Sequence, residues 1–219
     1  KKLENKQSLA LRAKKRYGLP DRFVLYVGDV NFNKNITNLV KACQISDIAL
    51  VICGKQAVEI EQMLSIRKLK GPRDWLRYTF GVVHPEHAHL QELLKEFNSN
   101  GNILRLGYVP EEDLAEIYKL ATVYCQPAFY EGFGLPVLEA MACGCPVVAS
   151  KTQTLVEIAE NSALFVNPNN PKSIARGLSE VAHNQKLRDR LISTGLMHSK
   201  SFTWNKTASE TLSVYEKVV

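Results

Sequence analysis

Long apolar runs are missing from this sequence: no stretch of about 18 uninterrupted apolar residues occurs, which excludes an ordinary membrane-spanning helix. The start, KKLENKQSLALRAKKRYGLP, has neither the apolar core nor the cleavage-like site of a secretory signal. It also has no initiator Met, so the chain is expected to be a piece of a longer protein whose first half precedes it. Cysteine is scarce. The 5 cysteines (Cys43, Cys53, Cys125, Cys143 and Cys145) are odd in number and mostly embedded in apolar stretches. That pattern fits reduced thiols in the cytoplasm rather than a disulfide framework. Cys143 and Cys145 form a CxC, but no second cysteine pair or nearby His completes a zinc set, so packing residues are expected there and no metal. A G-x-G-x-x-G is also lacking. Gly28-Asp29-Val30-Asn31-Phe32-Asn33 offers a single glycine where a dinucleotide-binding oxidoreductase needs three.

What is present is an ordinary globular mixture: 219 residues, 45% hydrophobic and 23% charged, enough for one large domain or one and a half with a real core. The net charge of +6 is unevenly placed. Lys1, Lys2, Lys6, Arg12, Lys14, Lys15 and Arg16 crowd the beginning, a solvated linker or a first helix with a charged outer face. No aromatic residues are interleaved and no nucleic-acid-binding signature is found, so no nucleic-acid partner is expected. Contact of this segment with an anionic membrane surface is the other reading.

Short apolar runs alternate with helix-length amphipathic segments, the pattern of a parallel sheet with crossover helices. FVLYVG (23–28), IALVICG (48–54), NILRLG (102–107), TVYCQP (122–127), PVVAS (146–150) and ALFVNP (163–168) read as strands. Helices are predicted over 33–44, 56–69, 84–97, from Pro110 onward, over 134–144, and near 171–182, 185–195 and 204–218. A loop or insertion is predicted over 70–85. Residues 1–20 are assigned to a linker or first helix, 21–200 to a Rossmann-like domain and 201–219 to a closing helix. In such sheets ligand chemistry sits at the carboxyl ends of the strands.

The stretch EGFGLPVLE (131–139) stands out there. Gly132 and Gly134 let the backbone approach a ligand closely. The helix that follows points its free N–H groups and the positive end of its dipole at the cleft, a place for nucleotide phosphates that needs no metal. A carboxylate beside a pyrophosphate would repel it, so Glu131 and Glu139 read as acceptors for sugar or ribose hydroxyls. Spacing alone leaves a plainer reading equally open, in which Glu139 complements the helix and Glu131 caps the turn.

EGFGLPVLEAMACGCPVVAS resembles the E-x7-E signature of the retaining glycosyltransferases of family 4, which have the GT-B fold. The resemblance extends over nearly the whole chain, with FVLYVG and a Lys-containing loop, LVICG, LGYVPEEDLAEIYKLATVYCQPAFYEGFG and ALFVNP in the expected order. It implies an α/β, Rossmann-like doubly wound parallel sheet forming one half of a GT-B fold. The implied function is donor binding for transfer of a mannose-like or glucose-like sugar from a GDP- or UDP-sugar to an acceptor hydroxyl, without a metal. By the same resemblance Glu139 would hold the ribose hydroxyls and Glu131 would lie near the donor sugar. Gly132, Phe133, Gly134 and Leu135 would give backbone contacts, and Tyr108 and Val109 would grip the base. Lys34 would stabilise the departing diphosphate.

The acceptor, a glycan or lipid-linked glycan of polysaccharide or glycolipid synthesis, would bind through the N-terminal half, so this chain by itself is expected to bind nucleotide and transfer nothing. A cytoplasmic location, peripheral to the inner membrane, goes with that role.

The sequence departs from the family in two places. Asp29 stands where the family commonly has an Arg partnering the lysine, and Arg105, inside a strand, is a poor substitute. The usual Pro-Glu and Gly-Asp pairs before the sixth strand are replaced by Val156-Glu157 and Glu160-Asn161, read here as drift at a turn. Asp29 motivates one rival, a nucleotide-sugar-binding module without catalysis. A nucleotide-sugar epimerase is another, disfavoured by the E-x7-E spacing. His84, His87 and His89 are expected on an exposed insertion rather than at a metal.

Overall fold

The computed structural model describes residues 2–65 and 85–218, with the backbone alone at 2–8 and 85. The loop expected over 70–85, the predicted helix beyond Ser65 and His84 lie outside the described residues, apart from Pro85, which begins a helix. Six strands form one parallel sheet: β1 (Phe23–Val27), β2 (Ala49–Cys53), β3 (Ile103–Gly107), β4 (Val123–Gln126), β5 (Val147–Ser150) and β6 (Ala163–Val166). Their order across the sheet is β3-β2-β1-β4-β5-β6, every neighbouring pair parallel. Parallel pairs cannot be joined by hairpins, so helices make the crossovers. The helices among the described residues are α1 (Lys2–Tyr17), which precedes the sheet, α2 (Ile36–Ser46), α3 (Lys55–Ser65), α4 (Pro85–Ser99), α5 (Glu111–Leu120), α6 (Leu135–Ala142) and α7 (Gln153–Ala159) between strands, and α8 (Pro171–His183), α9 (Gln185–His198) and α10 (Trp204–Val218) after the last strand.

Successive strand residues point to opposite faces, and both faces are covered. Val24, Tyr26, Leu50, Ile52 and Val148 pack under Leu39, Ile60, Leu93 and Leu178 from α2, α3, α4 and α8. Phe23, Leu25, Val51, Tyr124 and Val147 pack under Ile117, Val137, Met141 and Leu155 from α5, α6 and α7. This explains why β1 and β2 are hydrophobic at every position rather than at alternate ones. Each fully buried Leu, Ile or Val contributes about 1.5–3 kcal/mol, so the two layers together dominate the stabilisation.

The basic beginning is the helix α1, and its end docks on α5. Arg16 Nη1 and the Tyr17 hydroxyl both donate to Asp113 Oδ2, at 2.8 and 2.6 Å. Helix α7 is a correction to the sequence reading, which placed a turn over 156–161. Val156 and Glu157 are helical, and the turn begins only at Glu160, with φ +45°. Leu155, Ile158 and Ala159 bury its inner face, but seven residues are too few to give a clear period. Helix α10 carries no buried residue, and Trp204, Leu212, Tyr215 and Val218 are exposed on it. Among the described residues no helix is long and apolar enough to cross a membrane.

Candidate active site

The strand order reverses between β1 and β4, so the chain leaves these two strands in opposite directions and opens a crevice above their carboxyl ends. One side of it is the loop after β1, which makes a short 3-10 turn at Phe32–Lys34 and enters α2 through Asn35. The other is the loop after β4, residues 127–134. The Phe129 amide donates to the Asn33 carbonyl at 2.8 Å, and the Phe32 and Phe129 rings meet at 5.6 Å. Asn35 is buried in the left-handed region, φ +58°, and its Nδ2 donates to the carbonyls of Pro127 and Pro168, each at 2.8 Å. The exits of β1, β4 and β6 are thereby tied to one side chain.

Across this crevice Lys34 meets Glu131. The Nζ donates to both carboxylate oxygens at 2.9 Å, with the side chains 24% and 11% exposed. Little water reaches the pair, so each charge depends on the other far more than at an open surface. Beneath it lies a support that the sequence reading did not find. Gln126, the last residue of β4, donates from Nε2 to Glu131 Oε2 at 2.8 Å, and the Tyr124 hydroxyl donates to Gln126 Oε1. Both are buried. The one available signal was a polar side chain ending the otherwise apolar strand VYCQ.

Two more buried tyrosines complete the floor. Tyr26 donates to the Asp29 carbonyl at 2.7 Å and Tyr118 to Glu139 Oε2 at 3.0 Å. Burial, with neighbouring carboxylates adding to it, pushes all three phenols well up, so they remain protonated donors. Glu139 sits on the exposed face of α6 and bonds to Tyr118 rather than joining Lys34 and Glu131.

Helix α6 begins at Gly134, with φ +99°, where a Cβ would come within 3.0 Å of Leu155 and 3.7 Å of Glu131 Cγ. No side chain caps it, its first turn contains no acidic residue, and Pro136 removes one donor. The positive end is therefore left to groups from outside the helix. Gly132, Phe133 and Leu135 are exposed at the rim, and Phe133 meets the edge of Phe202 at 6.4 Å. After β3, Tyr108 is 78% exposed, while Val109 is a core side chain and can offer a ligand only its backbone. Past Phe32 and Phe129 the crevice continues toward Lys151, Thr152 and Asn167.

His89 corrects the expectation of an exposed insertion. It is buried, its Nε2 lies 3.1 Å from the Val30 carbonyl, and its ring meets Phe32 at 5.5 Å. A carbonyl can only accept, so Nε2 carries the hydrogen and α4 braces the loop that bears Lys34. Arg105 bonds to the Ala57 carbonyl and Glu61, away from the crevice, and the Asp29 side chain is exposed. All five cysteines are free. Burial raises Cys53 and Cys145 to about 12, which leaves them protonated and unreactive near neutral pH. Among the described residues no group of three or more His, Cys, Asp or Glu is placed to hold a metal ion.

Residues 8–196 match the family model described as glycosyl transferases group 1. The chain belongs to this family. This group 1 glycosyltransferase is 32% identical over 194 residues to O-antigen chain mannosyltransferase B of Escherichia coli, covering 89% of the chain and 45% of that relative. Sucrose-phosphate synthase from Thermosynechococcus elongatus has the same architecture at TM-score 0.70 and 26% identity, over 95% of this chain and 48% of that one. The Anabaena HepE structure with UDP-glucose aligns with TM-score 0.70 at 18% identity, over 94% of this chain and 53% of that one, a likeness of fold. The sheet is thus the Rossmann-like half of a GT-B glycosyltransferase, and the chain spans a little under half the length of the curated relatives it matches.

Proposed function

We propose that this group 1 glycosyltransferase is a retaining family 4 hexosyltransferase, and that the chain is its donor-binding half. The observation that carries the reading is the meeting of Lys34 and Glu131 at the β1/β4 crevice, beside the uncapped start of α6. In transfer the bond between the anomeric carbon and the phosphate oxygen breaks, and negative charge grows on the departing nucleoside diphosphate. The Lys34 ammonium and the amides around Gly134 and Leu135 stabilise that charge without a divalent metal. Glu131 accepts hydrogen bonds from donor-sugar hydroxyls, with Gly132 and Phe133 lining its approach. Glu139 takes the ribose hydroxyls, and Tyr108 with the Val109 backbone borders the base.

A relative named for mannose and a fold neighbour holding UDP-glucose support a hexose on GDP or UDP. The acceptor, a glycan or lipid-linked glycan of polysaccharide or glycolipid synthesis, is bound through an N-terminal half. The enzyme works in the cytoplasm, with the basic face of α1 toward the inner membrane.

Calorimetric titration of the intact protein with GDP and UDP, in EDTA and in magnesium, tests this reading. One nucleotide should bind equally well in both, and Glu139→Ala should weaken it roughly tenfold or more, the loss of hydrogen bonds to a charged group. Strict magnesium dependence, or no binding of either nucleotide, would contradict it.

A further inference from the structure

We infer that Gln126, held by Tyr124, is a positioning residue that keeps Glu131 aimed at the donor sugar once the diphosphate has taken Lys34. This rests on the donor-site reading above and concerns residues to which that reading gives no role.

The amide orientation is forced by its neighbours. The ionised carboxylate of Glu131 can only accept, so Gln126 must turn Nε2 toward it, and Oε1 then faces the Tyr124 hydroxyl as acceptor. Tyr124 is fully buried and its hydroxyl donates to that Oε1, whereas a flipped amide would set its oxygen against the carboxylate, so Gln126 has no second orientation that satisfies both ends. Lys34 gives a hydrogen bond to each oxygen of Glu131, and Gln126 adds one to Oε2.

A diphosphate arriving at Lys34 competes for that ammonium. Glu131 then loses its counter-charge while a new anion settles beside it, and like-charge repulsion favours swinging the carboxylate away. The bond from Gln126 survives this exchange. It retains Oε2 at the floor and leaves Oε1 as the oxygen free to accept from a sugar hydroxyl. Donor binding is thereby a partner exchange, in which phosphate takes Lys34, the sugar takes Glu131 Oε1, and Gln126 keeps the carboxylate in register.

The role predicts a split between two ligands of the same site. Gln126→Met has nearly the same length but no hydrogen bonds, and Tyr124→Phe removes only the hydroxyl that orients the amide. Both are tested in the intact protein with UDP and UDP-glucose, and with GDP and GDP-mannose. The free diphosphates, which use Lys34 and the α6 amides, should bind Gln126→Met within about twofold of wild type, while the matching nucleotide sugar weakens about fivefold or more. Tyr124→Phe should show a smaller split in the same direction, and near-normal diphosphate binding certifies that each variant is folded. Equal loss for diphosphate and nucleotide sugar would make Gln126 merely structural, and no change for either would make it idle. Both results overturn the inference while leaving the donor site standing. Wild type that binds none of the four ligands would remove the donor site and this inference with it.

Discussion

Asn35 holds three strand exits together from a backbone conformation that most side chains resist. Its φ of +58° is tolerated because a short amide side chain fits the left-handed region, and its two amide hydrogens meet the carbonyls of Pro127 and Pro168. Asn35→Asp keeps the backbone preference but turns acceptors toward two carbonyl oxygens. It should cost about 2–5 kcal/mol, the penalty for buried unpaired polar groups and an uncompensated charge, and lower the melting temperature by roughly 5–15 °C. A melting temperature within a degree of wild type would show that the loops do not depend on this side chain. At this scale the sequence was legible in part. Glu131 could be named as a candidate from its motif and Lys34 from the family resemblance, but nothing in the chain says that residues 97 apart will bond. Gln126, Tyr124 and Asn35 escaped notice because their importance lies in what they touch, and all three were read as ordinary strand or helix positions.

Elements were easier to read than contacts. The strands are short, mostly apolar runs, continuous in the buried β1 and β2, so all six were recognisable, and their alternation with amphipathic segments implied parallel pairing. Helix α7 failed the same test for lack of length, and His89 was misjudged because its polarity was taken for exposure, although it lies one turn before Leu93 and two before Phe97 on the buried face of α4. The strand exits also carry a steric demand that composition does not show. A Cβ on Gly54 would lie 2.0 Å from the Gly28 carbonyl oxygen, so β1 and β2 can leave the sheet side by side only while position 54 has no side chain. Gly54→Ala must displace backbone rather than a flexible tip. It should destabilise by about 3 kcal/mol or more, read as a lower urea midpoint. An unchanged midpoint would mean the two exits have slack that their close approach denies.

For the molecule as a whole, function follows from where the sheet changes direction. Loops after β1 and β4 part at the switch point, a cation comes from one and a carboxylate from the other, and the helix that begins beside them offers its positive end. Because the chain spans less than half of its curated relatives, the acceptor side of the reaction is proposed to lie in the rest of the protein. Under the proposed function, this half binds the donor and stabilises its leaving group. The most direct test is a crystal structure of the intact protein soaked with UDP-glucose or GDP-mannose in EDTA. Diphosphate oxygens are expected within hydrogen-bonding distance of Lys34 Nζ and the Leu135 amide, with Glu131 parted from Lys34 but still bonded to Gln126, and a sugar hydroxyl on its other oxygen. A nucleotide bound elsewhere, or bound here with the Lys34–Glu131 pair unbroken, would contradict the proposed function.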